Sequence, residues 1–292
     1  MTRHFTPEVL STHCASQAFA SIPAAPAFVS DSGILFDVDA LDLLGALHDE
    51  CADLVFADPP FNLKKDYGAL APDDRTDAAY LAWCFRWVDE CVRILKPGGS
   101  LFLFNLPKWN IQIGARLFSN EALDFRHDIT IEMKNCMPIK GRLYPAHYSM
   151  LYFTKGKPRT FGSVRTPLMR CRHCDGLVRD YGGHASKMKS AGANLTDVWT
   201  DVPVVRHRRY MNAARGANAL STKILDRVIA IGTGPADLVV DPFGGSGTTY
   251  HVAEMKGRRW IGTDTAFAAA ISERLRTGLP EPHPNSDRLD AG

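Results

Sequence analysis

Short apolar runs rich in β-branched and aromatic residues alternate with amphipathic stretches along most of these 292 residues. That is the pattern of strands and crossover helices in an α/β protein with a mostly parallel sheet. Residues 33–38 read as a strand and 40–48 as a helix. Residues 53–57 form a short buried strand ending at Asp58-Pro59-Pro60-Phe61. Residues 77–95 carry Leu81, Phe85, Val88, Val92 and Leu95 on one helical face. Lys96-Pro97-Gly98-Gly99 stops that helix before a strand over 100–104. A helix over 110–118 and strands over 128–133 and 149–153 follow. After a less regular stretch come a helix over 219–231, a strand over 237–240, a Gly-rich turn, a helix to Lys256, a strand over 259–262 and a helix to Arg276.

Apolar residues make up 45% of the chain, and no run approaches the ~20 apolar residues that span a bilayer, so no membrane partner is expected. Residues 1–30 are rich in Ala, Ser and Pro, and their apolar stretch is broken by Pro23 and Pro26. They read as a flexible arm, not a secretion signal. The odd count of seven cysteines without an export signal points to reduced thiols and a cytoplasmic protein.

The segment Asp241-Pro242-Phe243-Gly244-Gly245-Ser246-Gly247-Thr248-Thr249 leaves a strand and opens a helix. Glycines let the backbone approach a ligand closely, and the first N–H groups of the helix face outward from the sheet's carboxyl edge. No lysine follows the glycines, so the phosphate loop GxxxxGK[ST] is absent. Tyr250 stands where a dinucleotide GxGxxG needs its third glycine. Asp264, ending the next strand, can take ribose hydroxyls. A Gly-rich turn with an acidic rim suits a cationic, phosphate-free nucleoside such as S-adenosylmethionine; a tight turn with no ligand is the alternative.

Asp58-Pro59-Pro60-Phe61 also ends a buried strand. Its two prolines fix the backbone and remove two donors, leaving carbonyls as acceptors. A carboxylate beside a fixed carbonyl can take both hydrogens of an NH2 group. Because an exocyclic base amine delocalises its lone pair into the ring, hydrogen bonds to Asp58 and the Pro59 carbonyl favour a more pyramidal, more nucleophilic nitrogen. Phe61 offers a face for stacking, worth about 1–3 kcal/mol per base, against the few kcal/mol that extruding a base costs. Taken alone, the tetrapeptide reads equally as a rigid turn with a solvated Asp and a core Phe.

With DPPF first, DPFGGSGTT last and a basic segment between, the chain resembles the β group of DNA amino-methyltransferases over residues 33–276. The DPPF–helix–LKPGGSLFLF and DPFGGSGTT–helix–GRRWIGTD stretches carry the likeness. The resemblance implies a Rossmann-like seven-stranded sheet with one antiparallel strand, opened so that the usual first strand comes late. It implies methylation of a flipped base in double-stranded DNA with S-adenosylmethionine as cofactor. Asp58, Pro59, Pro60 and Phe61 match the catalytic motif. Asp241, Pro242, Phe243, Gly244, Gly245, Ser246, Gly247 and Thr248 match the cofactor turn, Asp264 the ribose-binding acid, and Asp39 an acidic position near the cofactor. Thr222 and Lys223 match part of another cofactor-side stretch, which brings in Lys223. An Asp at the first catalytic position points to adenine N6 over cytosine N4, where Ser is usual. Methylation of RNA or of a glutamine amide uses the same chemistry with the turns usually in the opposite order. A non-catalytic DNA-binding module is the reading from another class. The resemblance leaves open a homodimer and a cognate restriction endonuclease.

The implied organisation is a flexible arm (1–30), a catalytic half (31–154), a basic target-recognition insert (155–215), a cofactor-binding half (216–277) and a polar tail (278–292). The insert holds thirteen Lys and Arg against four Asp and no Glu, which is +9 where the whole chain is +2. Such an excess neutralises phosphates, and Arg172, His173, Arg206, His207, Arg208 and Arg209 are candidates for reading base edges. Cys171 and Cys174 have metal-ligand spacing but no second CxxC accompanies them, so reduced thiols and no metal are expected. Trp199, Val198 and Val202 read as a packing anchor.

Overall fold

The computed structural model describes residues 15–63, 74–133, 140–141, 143, 145–168, 170–171, 173–176, 192–203 and 220–277. Strands β1 (Phe28–Val29), β2 (Gly33–Phe36), β3 (Ala52–Ala57), β4 (Leu95–Asn105), β5 (Leu123–Glu132), β6 (His147–Lys155), β7 (Arg165–Thr166), β8 (Ala193–Asn194), β9 (Val198–Trp199), β10 (Leu238–Asp241) and β11 (Arg259–Thr263) are interleaved with helices. These are α1 (Ala40–Gly45), α2 (Asp77–Ile94), α3 (Pro107–Phe118), α4 (Thr222–Gly232), α5 (Thr248–Met255) and α6 (Ala268–Thr277). All strands but β7 and β8, which pair with each other, lie in one sheet of order β1-β2-β11-β10-β3-β4-β6-β5-β9. From β2 to β5 the sheet is the Rossmann-like one implied by the resemblance: six strands share a direction and β6 opposes them.

Period-two alternation divides the core. Ile34, Phe36, Val55, Ala57, Leu101, Leu103, Val240 and Ile261 face α1, α2 and α3. Leu35, Leu54, Phe56, Phe102, Phe104, Val239 and Trp260 face α4, α5 and α6. Strands buried on both faces need helices on both sides. Here the first half of the chain supplies one helical layer and the second half the other.

The structure departs from the sequence reading in several places. Residues from 15 on do not form an arm: Phe19 and Phe28 are buried, β1 pairs with β2, and Phe28 stacks on Trp260 at 6.4 Å. Two aromatic anchors outweigh the breaking effect of Pro23 and Pro26. Lys96-Pro97-Gly98-Gly99 lies inside β4, which begins at Leu95, with Gly98 at φ +77°. Helix α3 starts three residues early because Pro107 sits at its first turn. The most buried stripe of α2 is Tyr80, Cys84, Trp87, Val88 and Cys91, while Leu81 and Phe85 are only partly buried. In the insert, β9 extends the main sheet beside β5. Trp199 and Val202 are buried as an anchor requires, but Val198 is exposed.

Candidate functional site

β10 and β3 are parallel neighbours, with Val239 opposite Leu54 and Val240 opposite Val55. From β10 the chain runs through α5 to β11 on one side; from β3 it runs through α2 to β4 on the other. Such a reversal opens a crevice beyond the carboxyl ends of the two strands, where ligands bind in open α/β sheets. The turn at Asp58 and the turn after Asp241 both lie there, flanked by Asp264 after β11, Asp39 after β2 and Asn105 at the end of β4.

The Gly-rich turn is braced from beneath. Asp241, 1% exposed, accepts the Phe243 N–H at 2.9 Å. The Tyr250 hydroxyl donates to the Asp241 carbonyl at 3.0 Å. Arg274, also buried, donates to the Ser246 carbonyl and to Thr248 Oγ1, and Ser246 Oγ lies 3.0 Å from Thr248 Oγ1. Gly247 caps α5 at φ +74°, where a Cβ would also meet Ile271 Cγ2 at 2.7 Å. A Cβ on Gly244 would strike the Tyr250 hydroxyl at 2.5 Å. Asp264 accepts the N–H groups of Gly245, Ala266 and Phe267. Burial pushes the Asp241 carboxyl up to about 7 and raises Asp264 as well, each partly offset by its hydrogen bonds. Neither forms an ion pair among the described residues. A buried carboxyl and a half-buried one beside a glycine turn fit a ligand with a sulfonium, an ammonium and a ribose, and do not fit a phosphate. Asp39 caps α1 through the Leu41 N–H and stays exposed at the same edge.

The acidic-proline turn is held by its carbonyls. Tyr80 of α2 donates to the Pro60 carbonyl at 2.7 Å, and Trp109 Nε1 of α3 donates to the Phe61 carbonyl at 2.8 Å. Among the described residues the carbonyl of Pro59 accepts no hydrogen bond. The ring of Phe61 is partly buried, 6.0 Å from Phe104 and 5.9 Å from Tyr148. Helix α2 also reaches the other turn. Phe243 lies edge-on to Trp83 at 5.7 Å and Trp87 at 5.1 Å. Tyr80, Trp83, Trp87, Asn105, Trp109 and Arg274 therefore brace the two turns of the candidate site, and the motifs alone miss them. The one signal for them in sequence is the i, i+3, i+7 spacing of three aromatics in α2.

Lys223 stands in the first turn of α4, its backbone N–H on Ser221 Oγ. Its ammonium pairs with Asp201 at 2.8 Å, and Asp201 also takes Arg227 through both carboxylate oxygens. This makes it a joint between the insert and α4. Part of the insert's charge is likewise used internally: Lys155 pairs with Glu50, and Arg159 with Asp53 and Asp237. His173 is exposed in a turn; Arg172, Arg206, His207, Arg208 and Arg209 lie outside the described residues. Around Cys171 the chain closes a small hairpin, with the Cys171 N–H on the Gly176 carbonyl and the Asp175 N–H on the Cys171 carbonyl. Among the described residues no group of three metal-ligating side chains is present.

This sheet order, with a cation-suited glycine turn and an amine-suited acidic turn at one switch point, defines a protein of the Rossmann-like methyltransferase class. The sequence profile of a family described as DNA methylase matches residues 52–269, and the chain belongs to that N6/N4 DNA methylase family. It is 49% identical over 252 residues to the type II methyltransferase M.BamHI of Bacillus amyloliquefaciens, covering 86% of this chain and 59% of that protein. It is 30% identical over 244 residues to the type II methyltransferase M.HpaI of Haemophilus parainfluenzae, covering 81% and 72%. The chain thus spans about three fifths of the length of M.BamHI. Among solved structures, PvuII DNA methyltransferase (cytosine-N4-specific) superimposes with a TM-score of 0.57 at 22% identity, covering 87% of this chain and 89% of that one. At that identity the likeness is one of fold. No helix among the described residues is long and apolar enough to cross a membrane.

Proposed function

We propose that this protein transfers a methyl group from S-adenosylmethionine to the exocyclic amino nitrogen of a base flipped from double-stranded DNA. The reading rests on the adjacency of β3 and β10, which sets the acidic-proline turn beside the Gly-rich turn. Asp241, Phe243, the glycines and Asp264 hold the cofactor, which supplies an electrophilic methyl when bound. Asp58 and the Pro59 carbonyl accept the two amine hydrogens and orient the nitrogen, and Phe61 stacks on the base. The basic insert, residues 155–215, takes the phosphates. Asp58 at the first motif position favours adenine N6. Cytosine N4 presents the same two hydrogens, and a fold relative is named for that specificity. Relatives of the type II class make a cognate endonuclease and a cytoplasmic site part of the same reading; a homodimer is read out by sedimentation.

Labelled S-adenosylmethionine and long mixed-sequence duplex DNA test this, with nucleoside mass spectrometry separating N6-methyladenine from N4-methylcytosine. Asp58→Ala is expected to cut transfer by about 10²-fold or more while DNA binding survives. A wild-type protein that labels no DNA refutes the proposal.

A further inference from the structure

The hydroxyl of Tyr80 joins the catalytic turn to the end of β4. It donates to the Pro60 carbonyl at 2.7 Å and accepts from Asn105 Nδ2 at 3.1 Å. Both residues are buried, Tyr80 at 1% and Asn105 at 0% exposure. Asn105 Oδ1 accepts the Leu106 N–H at 2.7 Å, so the amide is locked with its NH2 toward the tyrosine. A hydroxyl that accepts from an amide directs its own proton elsewhere, here onto Pro60. The ring is fixed by Trp109 at 4.5 Å and Trp83 at 5.7 Å. Because Pro59 and Pro60 have no N–H, their segment can be tied only through its carbonyls. The Tyr80 bond, with that of Trp109 to Phe61, fixes the stretch that carries the Pro59 carbonyl and, one residue earlier, Asp58.

The geometry points to Tyr80, oriented by Asn105, as a positioning residue for methyl transfer: it sets where the two acceptors of the target amine stand and touches neither cofactor nor base itself. The inference rests on the proposed role of Asp58 and Pro59. A displaced acceptor weakens an interaction made in the transfer step, so it lowers the rate of chemistry without lowering ground-state affinity.

The test is single-turnover labelling of long mixed-sequence duplex DNA by full-length wild type, Tyr80→Phe, Asn105→Ala and the double variant. Cofactor affinity is measured by calorimetry and DNA affinity by filter binding. Tyr80→Phe is expected to slow transfer by about 10- to 100-fold, the scale of an ångström's misplacement, with both affinities held within about threefold. Asn105→Ala is expected to give a smaller defect of the same kind. The double variant should be no slower than Tyr80→Phe alone, because the amide acts through the hydroxyl. An unchanged rate in Tyr80→Phe, a rate loss matched by lost cofactor affinity, or multiplying defects in the double variant each overturn the inference. If Tyr80→Phe does not fold, the same split in Asn105→Ala decides. A wild type that labels no DNA overturns the proposed function, whereas an active wild type with an equally active Tyr80→Phe overturns only the positioning role.

Discussion

Asp264 Oδ2 accepts the backbone N–H of Gly245 at 2.7 Å, so the carboxylate that follows β11 shapes the turn that follows β10. Its other oxygen takes the N–H groups of Ala266 and Phe267. Three backbone donors hold the carboxylate in place before any ligand arrives. Helix α2 does the corresponding work on the other side of the crevice, with Trp83 and Trp87 on Phe243 and Tyr80 on Pro60. Helix α2 thus touches both turns, which is the kind of fixed placement that two reactants sharing one site would need.

If Asp241 holds the cofactor as proposed, its buried carboxyl should make cofactor binding pH-dependent. Burial raises its carboxyl from 3.8 to about 7, against the hydrogen bonds from Thr249 and the Phe243 N–H. The native state therefore binds this proton more tightly than the unfolded chain. The group's contribution to stability is fully present below its ordinary pKa and is lost as pH rises toward about 7. A cationic ligand prefers the charged carboxylate, so affinity should move the opposite way. Calorimetry is expected to show S-adenosylmethionine binding roughly tenfold tighter at pH 7.5 than at pH 6, since one pKa unit corresponds to a factor of ten. Asp241→Asn should flatten the dependence. Equal affinity at both pH values in the wild type contradicts this assignment.

The glycines of the cofactor turn should rank by their surroundings. Gly247 combines φ +74° with a Cβ position 2.7 Å from Ile271 Cγ2, whereas Gly245 has φ +52° and no neighbour closer than the Phe243 carbonyl at 3.8 Å. Gly247→Ala meets both strain and collision and is expected to cost roughly 2–4 kcal/mol, against about 1 kcal/mol for Gly245→Ala. Urea denaturation measures the difference. An equal cost at the two positions would mean that α6, which carries Ile271, gives way freely.

Sequence patterns carry the order of the fold well, because period-two and helical apolar repeats survive in any α/β protein. The two motif turns are legible because proline and glycine restrict or release backbone in ways other residues do not. The supports of those turns are not legible. Tyr80 and Asn105 are twenty-five residues apart, and only the pairing of β3 with β4 brings them to 3.1 Å. Nothing in the helix pattern to Arg276 singles out Arg274, which α6 lays under Ser246. Lys223 matches a family stretch by type, yet its ammonium is claimed by Asp201, a partner no local pattern announces. Residues 15–30 look like an arm by composition, but two phenylalanines find the sheet.

The joint at Asp201 ties the basic insert to the α/β core, and its loss should loosen the insert before it unfolds the sheet. Asp201 accepts Arg227 Nη1 at 2.9 Å and Nη2 at 2.5 Å, and Arg227 is only 4% exposed. The guanidinium in turn lies 5.0 Å over the ring of Trp199 in β9, which pairs with β5. Burial alone would raise the Asp201 carboxyl; Arg227 and Lys223 override it and hold it at about 2. Its contribution is therefore present above the ordinary carboxylate pKa and lost as pH falls through about 2. Asp201→Asn leaves a buried guanidinium without its counter-charge. A fully buried pair broken this way costs about 3–5 kcal/mol, but Asp201 itself is 43% exposed, so solvent screening reduces the expected loss to about 1–2 kcal/mol. Hydrogen exchange is the decisive measurement: amides of residues 192–203 should lose protection in Asp201→Asn while those of β3 and β10 keep theirs. Uniform loss across the sheet would show that the insert and the core unfold as one unit.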